Sequence, residues 1–159
     1  MNQLAQVIPV DYLVIGHITV DLTSAGPMIG GTAAYAALNA RRHGLKVGIY
    51  TSYGMELPLD VLDGIQIINK PAKSSSTFEN IYTETGRIQK IWKVAEKLDV
   101  NDLPEIWKSS KIIHLAPIAN EILPFEPSVL HPEILGATPQ GWLRIWDDTH
   151  AIHLEKWNN

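Results

Sequence analysis

The chain contains no cysteine. That excludes disulfides, cysteine nucleophiles and thiolate metal sites, and it fits a reducing compartment such as the cytosol. No apolar run is long enough to span a bilayer, and the start, MNQLAQVIPVDY, has neither the basic region nor the cleavage site of a secretory leader. An excess of positive charge is missing too. Thirteen Lys and Arg against 17 Asp and Glu leave a formal charge of −4, with no basic stripe to follow a nucleic acid. The sequence has no G-x-x-x-x-G-K-S/T and no Ser-His-Asp elbow, and its first β-prone run is not followed by G-x-G-x-x-G. The expectation is a cytoplasmic protein with neither a nucleic-acid nor a membrane partner.

What is present fits one globular domain: 159 residues, 45% hydrophobic and 19% charged. Tyr12-Leu13-Val14-Ile15-Gly16 is a continuous apolar run, the mark of a strand buried on both faces of a parallel sheet. The pattern is read as continuing through His17-Ile18-Thr19-Val20 to Asp21, which places that carboxylate at the carboxyl end of a central strand, where open α/β sheets hold ligands. Residues 22–29 read as a loop. Gly30-Gly31 then opens an alanine-rich helix over about 32–43, stopped by Gly44, and 45–52 gives the next strand. Strand, helix and strand make a right-handed βαβ unit. The glycine pair has two readings: a tight turn before a buried crossover helix, or backbone N–H groups left open to a ligand at a helix N-terminus.

After Gly54 the expected elements are a short helix within 57–62, a short strand at 65–68 and a loop over 71–76. Two β-prone runs at 77–83 and 87–92, around Glu84-Thr85-Gly86, predict an antiparallel hairpin, either a lid inserted at about 72–95 or an ordinary edge hairpin. A short helix capped near Asp102, a strand over 111–116 and a strand over 134–137 follow, with prolines breaking the stretch between. The expected fold class is α/β: a Rossmann-like, mostly parallel sheet with crossover helices and a small β-hairpin lid, in one domain over 1–159.

Gly30-Gly31, Gly44 thirteen residues after the second glycine and Gly54 ten further on resemble the first signature of the ribokinase-like (phosphofructokinase-B type) carbohydrate and nucleoside kinases. Gly16 with Asp21 five residues later resembles that family's opening strand and its substrate-binding aspartate. The hairpin falls where the family inserts its lid, and HLAP at 114–117 and PQGWLR at 139–144 resemble later strand-end segments. The resemblance implies Asp21, Gly30 and Gly31 as contacts to a sugar, polyol or nucleoside. Tyr35 is an added pocket candidate, standing where the family usually has Asn. It also implies ATP and Mg²⁺ in full-length members. This chain has no G-x-G-D segment, and with it would go the anion hole and the catalytic base. The chain is therefore expected to be the amino-terminal, substrate-binding half: not competent alone, binding neither cofactor tightly, with no catalytic residue of its own, and self-associating as a dimer or pairing with a carboxyl-terminal half. The alternative is a non-catalytic sugar- or nucleoside-binding or assembly module of the same fold.

His17 and His114 fall in buried-strand patterns and read as satisfied core histidines. His150 and His153 lie near Asp147 and Asp148 without a third ligand at useful spacing, so the stretch from 146 reads as a solvated tail, not a metal site. Trp142, Trp146 and Trp157 read as core or surface anchors, and Asn39 as a solvated or packing residue.

Overall fold

The computed structural model describes residues 7–55 and 57–156; Trp157 lies outside them. Two sheets organise the chain. The first has five parallel strands in the order β5-β4-β1-β8-β9, built from β1 (Tyr12–Ile15), β4 (Val47–Tyr53), β5 (Gln66–Pro71), β8 (Ile112–Leu115) and β9 (Ile134–Ala137). The second has four strands in the order β3-β2-β6-β7, from β2 (Thr19–Thr23), β3 (Gly26–Gly30), β6 (Ser76–Thr83) and β7 (Gly86–Lys93).

Strand β1 is buried on both faces, as its unbroken apolar run requires. Val14 joins the core under helix α1 (Thr32–Arg42), while Leu13 and Ile15 join a second core on the opposite side. Ala33, Ala34, Ala37 and Ala40 line the buried face of α1, so the helix lies close to the sheet with no bulky side chain to hold it off. Arg41 and Arg42 occupy its last turn, where cations suit the helix dipole. On the other side Trp107, in the single turn α2 (Glu105–Lys108), is fully buried and donates Nε1–H to the Ile8 carbonyl at 3.0 Å. Gly48 gives its ring room, since a Cβ there would sit 3.0 Å from the indole.

The predicted hairpin is present as β6 and β7, paired antiparallel from Thr83↔Gly86. Its surroundings correct two expectations. Strand β1 ends at Ile15, and the chain leaves the parallel sheet through Gly16 to His17. Asp21 is therefore in the middle of β2, not at the tip of a central strand. The stretch 22–29, expected as a loop, supplies most of β3, which pairs antiparallel with β2 from Thr19↔Gly30 to Thr23↔Gly26. β2 also runs parallel to β6, so the hairpin becomes a four-stranded sheet. Hydrophobic periodicity shows that 12–20 is buried, but not that the chain changes sheets halfway.

The stretch from 146 is not a free tail either. β10 (Arg144–Trp146) and β11 (Ile152–Leu154) form a small antiparallel ribbon that docks on β7 through a Lys90↔Ala151 bridge and an Ile91 N–H···O=C His150 bond of 3.0 Å. Among the described residues no helix is long and apolar enough to cross a membrane.

Candidate functional site

A cleft of about 340 Å³ opens between the inner face of the second sheet, the N-terminus of α1 and the segment 139–144. Strand alternation decides which side chains face it. Asp21 lies opposite Phe78, and Asn80 lies opposite Gln89, so Thr19, Asp21, Phe78, Asn80 and Gln89 share one face.

Asp21 and the glycine pair do converge. Thr19 Oγ1 donates to Asp21 Oδ1 at 3.1 Å. The carboxylate rests directly against the Cα of Gly30, where any Cβ would collide with all three of its terminal atoms. Gly30 is thus the last residue of β3, and its missing side chain makes room for the carboxylate. Gly31 lines the cleft itself. It caps α1 at φ 90°, and a Cβ there would meet the His17 carbonyl oxygen at 2.5 Å, so both conformation and space call for glycine. No acidic residue sits in the first turn of α1, so the positive end of its dipole faces the cleft with no acid on the helix itself to offset it. Tyr35, on the next turn, is 60% exposed and stands at the cleft rim. Asn39 is exposed and lies outside the lining of this cleft.

Opposite Asp21 stands Arg144. It is buried, donating Nη1–H to the Ile118 carbonyl at 3.0 Å and Nη2–H to Gln89 Oε1 at 2.7 Å, with its guanidinium 5.5 Å from the Phe78 ring centre. Gln89 Nε2 donates in turn to Asn80 Oδ1 at 2.9 Å, and Gln140 Nε2 to Thr32 Oγ1 at 2.7 Å. Burial raises the Asp21 carboxyl above its ordinary range, against the Thr19 hydrogen bond and the Arg144 charge. Burial and the nearby Arg87 lower Arg144, against the attraction of Glu121 and Asp21. The result is one carboxylate, a fixed guanidinium and several amide side chains aimed into one polar space, an arrangement that orients a small molecule rich in hydroxyl groups.

The sequence pattern missed Thr19, Asn80, Arg87, Gln89, Gln140 and Arg144. Alternation along 77–83 and 87–92 held the signal for Asn80 and Gln89, but it points to a site only once β2 is known to pair with β6. Arg144 lay within the quoted PQGWLR segment, and its place depends on contacts across the fold.

The histidines of the β10–β11 ribbon serve a turn. Asp147 Oδ1 accepts from Thr149 and Ala151, and its Oδ2 pairs with His153 Nε2 at 2.8 Å. Among the described residues no three His, Asp or Glu are grouped to hold a metal, and the cleft lining offers Mg²⁺ the single carboxylate of Asp21.

No family model matches the chain. Among curated proteins it is similar to a cytidine kinase of Thermococcus kodakarensis, 34% identical over an alignment of 128 positions that covers 70% of this chain and 45% of that protein. Among solved structures it is similar to a pyrophosphate-dependent kinase in the ribokinase family complexed with a pyrophosphate analog and myo-inositol. That match has a TM-score of 0.70 at 18% identity and covers 92% of this chain and 55% of the other. The fold is ribokinase-like. An uncharacterized sugar kinase from Pyrococcus horikoshii in complex with ATP is also similar, with a TM-score of 0.54 at 18% identity over 65% of this chain and 42% of that one. Both comparisons agree with the resemblance carried by Gly16, Asp21, Gly30-Gly31, Gly44 and Gly54. The ribokinase-like chain spans less than half the length of the curated relative it matches.

Proposed function

We propose that this chain is the acceptor-binding part of a kinase that transfers a phosphoryl group to an alcohol of a sugar, polyol or nucleoside. The convergence of Asp21, the Gly31 end of α1 and Arg144 on one polar cleft carries this reading. In it, the Asp21 carboxylate accepts hydrogen bonds from two neighbouring hydroxyls, and Asn80, Gln89 and Gln140 complete the ring of polar partners. Arg144 holds Gln89 in place and supplies positive potential where charge gathers on the transferred group. Tyr35 closes the rim. The names of the similar proteins put cytidine and myo-inositol first among acceptors to try.

Phosphoryl transfer rests on positioning and electrostatic stabilisation of donor and acceptor together. The residues of this chain include no G-x-G-D segment, so we assign the donor cradle and the base that deprotonates the acceptor hydroxyl to residues outside it. The donor, whether ATP or pyrophosphate, belongs with that part. Strand β9 supports a further pairing. It is one of the two edges of the parallel sheet, and its residues Ile134 and Leu135, which point to opposite faces, are 59% and 48% exposed. A parallel sheet is ordinarily covered on both faces, so this edge suits another strand and its helices from a carboxyl-terminal half.

Isothermal calorimetry on the chain with cytidine, myo-inositol and ribose tests the acceptor site. Binding of at least one, weakened about tenfold or more by Asp21→Asn through loss of charge-assisted hydrogen bonds, supports it. Failure of all three to bind, or equal binding by the variant, overturns it.

A further inference from the structure

One buried titratable group has no place in the cleft yet reaches both the start of β6 and the Gly31 end of α1, which help to frame it. His17 is fully buried between the two sheets. The chain passes between those sheets at four places: 16–18, leaving β1 for β2; Gly31, leaving β3 for α1; 72–75, leaving β5 for β6; and 94–97, after β7. His17 lies in the first. Its carbonyl oxygen is the atom that bars a side chain at Gly31. Its Nδ1 is 2.7 Å from Ser76 Oγ at the start of β6, and its Nε2 is 2.8 Å from the Glu96 carbonyl. Its own N–H donates to Glu121 Oε1 at 2.8 Å.

The partners dictate the tautomer. A carbonyl only accepts, so Nε2 carries the proton and donates to Glu96; the neutral ring then leaves Nδ1 as acceptor for the Ser76 hydroxyl. That hydroxyl oxygen accepts in turn from the Ala95 N–H at 3.0 Å. The imidazole thus ties the first passage to the start of β6, just after the third, and to the last, with each ring nitrogen in one hydrogen bond. Glu121, also fully buried, accepts from the N–H groups of Ile118 and Ala119 as well as His17. It thereby fixes the loop whose Ile118 carbonyl holds Arg144. His17 does not line the cleft, but Thr19, two residues on, and Gly31, against its carbonyl, both do.

We propose that His17 is the positioning residue that fixes the second sheet over the cleft, through paired hydrogen bonds to Ser76 and Glu96, and so sets acceptor affinity without touching the acceptor. The effect on affinity rests on the acceptor-site reading; the effect on the junction does not. The charged groups facing the ring are Glu121 from the loop after β8, with Glu96 and Lys97 from the last passage. Burial outweighs the two carboxylates and keeps the imidazole neutral, the state the hydrogen-bond pattern needs.

The test uses the full chain without ligand first. Amide hydrogen exchange is followed at Ile18, Ala95 and Glu96, with Leu13 and Ile49 in the parallel sheet as controls. His17→Leu keeps the bulk and removes both ring bonds; His17→Gln retains a donor for the Glu96 carbonyl. The expected result is exchange about tenfold faster at the three junction amides in His17→Leu, the scale set by losing buried hydrogen bonds. The controls are unchanged and His17→Gln is intermediate. Acceptor affinity falls in the same order. Wild-type exchange in a folded His17→Leu overturns the proposal, as does equal acceleration at junction and controls. Should His17→Leu not fold, Ser76→Ala removes the hydroxyl alone, and unchanged exchange at Ala95 then counts equally against it. Asp21→Asn should weaken binding about tenfold or more while leaving junction exchange at the wild-type rate. A failure of the acceptor reading is thereby seen separately from a failure of the junction.

Discussion

Replacing Gly30 by alanine isolates the contact that makes the cleft polar. The φ of Gly30 is not in the left-handed region, so the backbone accepts alanine there, and the change alone should stabilise by about 0.4–1 kcal/mol through the unfolded chain. The new methyl, however, would occupy the position of the Asp21 carboxylate, whose three terminal atoms all lie within 2.6 Å of the ideal Cβ. Either the carboxylate turns away, giving up the Thr19 hydrogen bond at about 1 kcal/mol, or β2 and β3 separate at an overpacking cost of about 1–3 kcal/mol. The net change in urea denaturation should therefore be small, between about zero and 2–3 kcal/mol of destabilisation. Binding should suffer more, because a displaced carboxylate loses its charge-assisted hydrogen bonds to the acceptor. About 1.5–3 kcal/mol corresponds to a roughly tenfold to 150-fold weaker Kd. The two residues act as one unit, so Gly30→Ala in an Asp21→Ala background should cost almost no further affinity. Wild-type binding by Gly30→Ala, or additive losses in the double variant, would refute the claim that this glycine exists to admit this carboxylate.

Four further outcomes follow from the same geometry. Burial holds the Asp21 carboxyl above its ordinary range, so ionised Asp21 works against the fold at neutral pH; Asp21→Asn should raise Tm at pH 7 while weakening binding, and a lowered Tm contradicts this. Burial also lowers His17 and His114. Their contribution is then fully present above about pH 6.5 and lost as the pH falls from there toward their lowered folded values, because the unfolded chain takes up protons first. Denaturation at pH 8, 7, 6 and 5 in the Asp21→Asn background, where the opposing carboxyl contribution is absent, should show falling stability, and a rise would be contrary. Trp107→Ala should cost about 3–5 kcal/mol in denaturant unfolding, as expected for a fully buried indole, and a loss below 1 kcal/mol would deny it a place at the centre of the second core. Tyr35→Asn should change stability by less than about 0.5 kcal/mol, because the ring is exposed, yet alter acceptor preference in calorimetry; an unchanged preference removes Tyr35 from the site.

How much of this was legible in the residues depends on the range of the interaction. Local patterns carried far. The continuous run at Tyr12–Ile15, the alanines of Thr32–Arg42 and the alternating runs around Glu84-Thr85 each encode burial or pairing within a few residues, and the elements formed there. The spacing that runs from Gly16 to Asp21 and Gly30-Gly31 includes a pair, Asp21 and Gly30, that meets in space, although the path between them is not the single strand and loop that periodicity suggests. Asp21 reaches the cleft from mid-strand because Gly16, packed against the Ala116 carbonyl, and His17 carry the chain from one sheet to the other. A buried strand and a buried crossing have the same hydrophobic signature, so periodicity could not separate them. Arg144 and Glu121 were invisible for a different reason. Their roles rest on hydrogen bonds to Gln89, 55 residues away, and to the His17 N–H, 104 residues away. The stretch from 146 reads as a tail because the strands it helps to form, Arg144–Trp146 and Ile152–Leu154, are short, and they depend on β7 for support.

The central claim, that one polyol or nucleoside sits between Asp21, the start of α1 and Arg144, is tested most directly by mapping amide chemical-shift changes as cytidine or myo-inositol is titrated into the labelled chain. The account predicts saturable shifts concentrated at Asp21, Gly31, Thr32, Asn80 and Gln89, with saturation moved to about tenfold or more higher ligand concentration by Asp21→Asn. Shifts centred instead on the parallel-sheet edge at Ile134–Ala137, or on the far side of α1 at Leu38 and Arg42, would contradict it.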